Sequence, residues 1–131
     1  MSVDSIVNSL LKEVPKAVAA GVVDMDSGML IAVKTVDSHP QQVLDLLAAA
    51  TKDLFEGDNV MTIENVFKRA RGVKSDERYF REIIVSSTNL LHFFSRLKSR
   101  QSIVLTVVCR MDANLGLVVT KARDITNRET I

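Results

Sequence analysis

Few residues in this chain could make or break a covalent bond. It has two histidines, His39 and His92, and one cysteine, Cys109. The histidines are far apart in sequence and fall on different predicted elements. Together with a single cysteine they do not give the spacing of a zinc site. Cys109 lies in an apolar run and reads as a small buried hydrophobe, in keeping with a reducing compartment. Asp24 and Asp26 flank a turn. Two carboxylates that close could attract a cation, but solvated turn residues are the stronger reading. No serine sits in a nucleophile elbow, and the five scattered glycines form neither a Walker loop nor a dinucleotide fingerprint. The expectation is a chain with no catalytic residues, no metal and no cofactor, whose function lies in its surfaces.

Positive charge is the one polar feature that is concentrated. Residues 1–67 carry four Lys/Arg against ten Asp/Glu, and residues 68–131 carry thirteen against six, although the net charge is only +1. The densest basic run holds Lys68, Arg69, Arg71, Lys74, Arg78 and Arg81, and a second group is Arg96, Lys98 and Arg100. Nucleic-acid binding uses such charge with stacking aromatics. Here Phe67, Tyr79 and Phe80 are the aromatics at hand, and Asp76, Glu77 and Glu82 interrupt the run. A solvated face, or a protein-binding patch through Lys68, Arg71, Arg78 and Arg81, is the stronger reading. Nucleic acid remains the weaker one.

The elements that must position these residues follow from periodicity. Residues 2–13 place Val3, Ile6, Val7, Leu10, Leu11 and Val14 at helical spacing, with Ser2 or Asp4 as N-cap and Pro15 as the stop. Two β-rich runs, 17–25 and 29–35, meet at Asp26-Ser-Gly28, where Gly28 can take positive φ. Ser38 and Pro40 open a helix over 41–56. That helix carries two apolar stripes. Leu44, Leu47, Ala48, Thr51, Leu54 and Phe55 make one, and Val43, Leu46 and Ala50 make the other. A surface helix needs only one apolar stripe, so the second is explained by a helix covered on two sides, the alternative being a helix sunk deep in a monomer core.

Gly57-Asp58 ends that helix. A shorter one over 62–71 follows, with Ile63, Val66, Phe67 and Ala70 on one face and Gly72 at its end. Strands are predicted over 79–87, 90–97 and 101–110, joined by short connections as an antiparallel meander. The last of them is almost wholly apolar and so central. A final helix over 113–126 takes Asp112 as its N-cap. One domain spans 1–131, and no run is long and apolar enough to cross a bilayer. The composition, 47% hydrophobic, is globular, and the N-terminus lacks a signal-peptide pattern. The chain reads as cytoplasmic.

Element order and several stretches together resemble the roadblock / dynein light-chain family. They are Val-Val-Asp-Met-Asp-Ser-Gly-Met-Leu at 22–30, the apolar helix over 41–55, and Ile-Val-Leu-Thr-Val-Val-Cys at 103–109 leading into Asp-Ala-Asn-Leu-Gly-Leu at 112–117. The segment 58–78 is longer than that family's usual link. The resemblance implies an α/β (α+β) domain with a five-stranded antiparallel sheet of order 2-1-5-4-3. The central helix would lie on one face and the terminal helices on the other.

The resemblance further implies a non-catalytic homodimer that serves as a platform for a small Ras-like GTPase or related NTPase complex. Its interface would be Val43, Leu46, Leu47, Ala50 and Leu54 of the central helix with Ile83 and Val85 of the third strand. Profilin shares this layout. A profilin-like sensory module that binds a small ligand between helix and sheet is therefore the alternative.

Overall fold

The computed structural model describes residues 2–37, 41–72 and 76–131. The elements run α1 (Val3–Glu13), β1 (Ala17–Asp24), β2 (Met29–Thr35), α2 (Gln41–Glu56), α3 (Asp58–Arg71), β3 (Glu82–Ser86), β4 (Leu90–Leu97), β5 (Arg100–Arg110) and α4 (Leu115–Arg128). The sheet is antiparallel with order β2-β1-β5-β4-β3, as expected.

Local chemistry sets most element ends. The Ser2 hydroxyl accepts from Ser5 N–H and caps α1. Gly28 closes the β1–β2 turn at φ 72°, and the Asp24 carboxylate accepts from Asp26 N–H and the Ser27 hydroxyl. That carboxylate is thus employed by the turn itself. Gly72 ends α3 in the left-handed region, at φ 65°.

Four expectations are corrected. The last helix is capped by Asn114, which accepts from Leu117 N–H, while Asp112 pairs with Lys16 at 2.6 Å. The helix expected over 62–71 begins at Asp58, directly after the Gly57 elbow. The strand expected over 79–87 shortens to Glu82–Ser86, because Tyr79 N–H and Phe80 C=O bond to side chains instead of a ladder. Arg96, read as part of a basic surface group, is buried. The Ser38 and Pro40 helix start lies outside the described residues.

Two cores sandwich the sheet. α1 and α4 bury Ile6, Val7, Leu10, Val118, Ala122 and Ile125 against Val22, Phe93, Leu105 and Val107. α2 covers only part of the opposite face, where Ala48 and Phe55 meet Val23, Met25, Phe94 and Val104. Strand alternation divides β4 as the pattern requires: Leu91 and Phe93 go to the α1/α4 side and Phe94 to the α2 side.

Candidate functional site

The face of α2 that points away from the sheet is apolar. Val43, Leu46, Leu47 and Leu54 are 43, 63, 55 and 40% exposed, and Ala50 is exposed with them. At 100° per residue these five lie within an arc of about 100°. Ala48, Thr51 and Phe55 form the buried arc beside it, with Leu44 half-buried. Two residues change stripe relative to the sequence reading: Leu47 and Leu54 belong to the exposed arc. Phe55 decides the rotation. Its ring meets Phe94 edge-on at 6.3 Å and lies 5.0 Å beneath the Arg96 guanidinium. Lys52 donates to Met25 C=O and holds the helix to the β1–β2 turn.

The strand residues expected at the same interface divide. Val85 is 37% exposed, whereas Ile83 is half-buried against the α2-side core. Among the described residues their strand, β3, is a sheet edge paired only to β4. Its register sets Val85 opposite His92, which stacks on Phe94 at 6.2 Å. Partial burial pushes the His92 imidazole below its ordinary pKa.

The basic residues gather around α3. Glu64 is buried, and its carboxylate accepts Tyr79 N–H at 2.6 Å and Arg78 at 3.3 Å, with Lys68 at 3.7 Å. Phe67 stacks on Tyr79 at 5.6 Å, and Arg71 sits 5.7 Å over the Phe67 ring. Lys68, Arg71 and Arg78 therefore line one open cleft of about 260 Å³ with Glu64, Phe67 and Tyr79. Arg81 is exposed but does not line it. An adjoining cleft of about 330 Å³ shares Lys68 and Arg78 and adds Asp26, Glu56, Asp76 and Arg100. Mixed charge and open walls suit the side chains of a protein surface better than an enclosed small molecule.

Three buried charges, Glu64, Arg96 and Glu129, were not legible as such in the sequence. Glu64 lies off the apolar stripe of α3, and helical periodicity alone gives a charged residue there to solvent. Arg96 alternates with His92 and Phe94, which was the available signal for an inward side chain. Its guanidinium donates to Glu56 at 2.9 Å, Phe80 C=O at 2.6 Å and Gln101 C=O at 2.8 Å. Desolvation lowers the Arg96 pKa, and the hydrogen bond to Glu56 works against that. Cys109 is buried, and burial pushes its thiol up to about 11. His39 lies outside the described residues. Among the described residues, no group of three His, Cys, Asp or Glu is placed to hold a metal ion. No helix there is long and apolar enough to cross a membrane.

No protein-family model matches the sequence, and no curated protein matches it. Solved structures do. A Roadblock/LC7 domain from Streptomyces avermitilis superposes with a TM-score of 0.65 at 18% identity, covering 96% of this chain and 92% of that one. MglB of Myxococcus xanthus gives 0.67 at 20% identity, covering 95% and 88%. Profilin II of Acanthamoeba castellanii gives 0.60 at 14% identity, covering 95% and 94%. With its 2-1-5-4-3 sheet between α2 and the α1/α4 pair, the chain has the fold of the roadblock/LC7 domain, a layout it also shares with profilin.

Proposed function

We propose that the chain is a single roadblock-like domain that works in the cytoplasm as a non-catalytic, homodimeric regulatory scaffold. Its partner is a small Ras-like GTPase or a related NTPase complex. The observation that carries this reading is the exposed apolar stripe of α2, from Val43 to Leu54. Covering a half-exposed Leu or Val gains on the order of 1 kcal/mol. Five residues from each of two copies then give several kcal/mol, within the range of the ~4–15 kcal/mol that association costs. Ile83 and Val85 extend the contact along β3, whose unpaired edge can add a strand from the second copy.

The partner class rests on likeness of fold to Roadblock/LC7 and MglB structures. Lys68, Arg71 and Arg78 of the α3 cleft, with Arg81 beside it, are the candidate contacts. Their charge would steer an acidic partner surface into place. The test is capture of small GTPases from host lysate, loaded with GDP or a GTP analogue, on immobilised wild type and on Arg71→Glu with Arg78→Glu. Nucleotide-dependent capture by wild type, reduced at least fivefold in the variant, is expected. Absence of any GTPase from the wild-type eluate would contradict the partner class. Equal capture by both would clear these arginines of the role.

A further inference from the structure

α3 carries its apolar arc on the outside. Ile63, Val66 and Phe67 are 42, 53 and 44% exposed, and Ala70 is exposed with them. The residue that the helix buries is Glu64, whose carboxylate seats it on Tyr79 N–H and Arg78. Phe67 is partly covered, stacked on Tyr79 with Arg71 over its ring. Ile63, Val66 and Ala70, within an arc of about 60°, are therefore the outermost part of the stripe.

The charges that border this arc have one sign. From Asn59 to Gly72 the only carboxylate is the buried Glu64. At 100° per residue Arg69 stands about 60° beyond Val66 on one border, and Arg71 about 40° beyond Phe67 on the other. Asp58, at the helix start, lies past Arg69, about 80° from Val66. Asp76 and Glu77, after the helix, line the two clefts that hold Lys68 and Arg78. An apolar arc with a cation on each border is the pattern of a helix lying in the plane of a bilayer surface. Its apolar side chains enter the acyl boundary while the cations reach the anionic headgroups. Tyr79, 43% exposed beside Phe67, is the kind of amphipathic ring that headgroup level favours.

We propose that α3 is a peripheral membrane-binding helix, which lays Ile63, Val66 and Ala70 into an anionic phospholipid surface with Arg69 and Arg71 among the headgroups. The stripe is short, about 10 Å from Ile63 to Ala70. The contact is therefore weak and reversible, and it needs both the apolar burial and the charge. It uses neither the α2 stripe nor the β3 edge, so it holds whether or not the chain dimerises. Val66 and Arg69 also lie outside the residues offered above to a GTPase, which keeps the two readings separable.

Co-sedimentation of the full chain with vesicles tests it, phosphatidylcholine alone against phosphatidylcholine mixed with phosphatidylserine. At low salt the bound fraction is expected to be about fivefold higher on the anionic vesicles, and to fall as salt is added. Val66→Asp and Arg69→Glu should each lower it about fivefold with an unchanged melting profile. The chain has no tryptophan, so Val66→Trp supplies a single reporter. Its emission should shift to the blue on anionic vesicles, while that of Leu117→Trp, on α4, stays where it is. A wild type that ignores anionic vesicles at low salt overturns the inference. So does binding that Val66→Asp and Arg69→Glu leave unchanged, which gives the lipid to another surface. Loss of GTPase capture in Val66→Asp, from a wild type that never bound vesicles, gives the stripe to a protein partner instead.

Discussion

Arg96 carries more of this fold than any other charged residue. Its side chain is 3% exposed and its partner Glu56 is 11% exposed. One guanidinium joins the end of α2, the segment before β3 and the start of β5. Removing the carboxylate would leave a buried cation uncompensated, at a cost of about 3 kcal/mol. Glu56→Ala should lower the unfolding free energy by that amount in a urea titration, and Arg96→Met combined with Glu56→Gln should recover most of it. Cys109 gives a second expectation. With its thiol pushed up to about 11 by burial, it should stay unlabelled by a thiol reagent at pH 8 and react once the chain unfolds. Rapid labelling of folded protein would show that β5 opens locally.

Elements were more legible than residue environments. The β1–β2 turn was readable from Gly28, the β4 faces from alternation, and α2 from two adjacent stripes whose sum is wider than a monomer needs. The stripes were not assigned correctly, because arcs about 100° apart look equally apolar until one residue, here Phe55, finds its pocket. α3 was less legible still. Periodicity identifies an apolar face and expects it buried, yet the helix is seated by the Glu64 carboxylate, a long-range bond to Tyr79 that no local pattern encodes. Its direction is set at Gly57, where a Cβ would lie 2.6 Å from Asp53 C=O. Gly57→Ala must open the elbow between α2 and α3, and overpacking of this kind costs about 1–3 kcal/mol. A melting temperature equal to wild type would mean the elbow relaxes freely.

Across the molecule, exposed ion pairs tie the termini to the body. Arg128 meets Glu13 at 3.1 and 2.5 Å, linking α4 to α1, and Lys16 meets Asp112. The hydrogen bond from Arg128 holds the Glu13 carboxyl below its ordinary pKa, and the one from Lys16 does the same for Asp112. A carboxyl depressed by folding stabilises above its unfolded pKa and loses that contribution as pH falls through the folded value. The melting temperature should therefore fall as pH drops below about 4, the ordinary carboxylate range, and Glu13→Gln should make the fall shallower. A slope unchanged by Glu13→Gln would assign the acid sensitivity to other carboxyls. Exposed apolar surface includes the α2 stripe, the α3 stripe and the β3 edge, besides Met29, Ile31 and Val33 of β2. Of these the α3 stripe is assigned to an anionic lipid surface, and the α2 stripe and the β3 edge to self-association. Multi-angle light scattering at micromolar concentration tests that most directly. A mass twice the 14.5 kDa of one chain is expected for wild type, and the single-chain mass for Leu46→Glu with its fold intact. A wild type that elutes at the single-chain mass would contradict it.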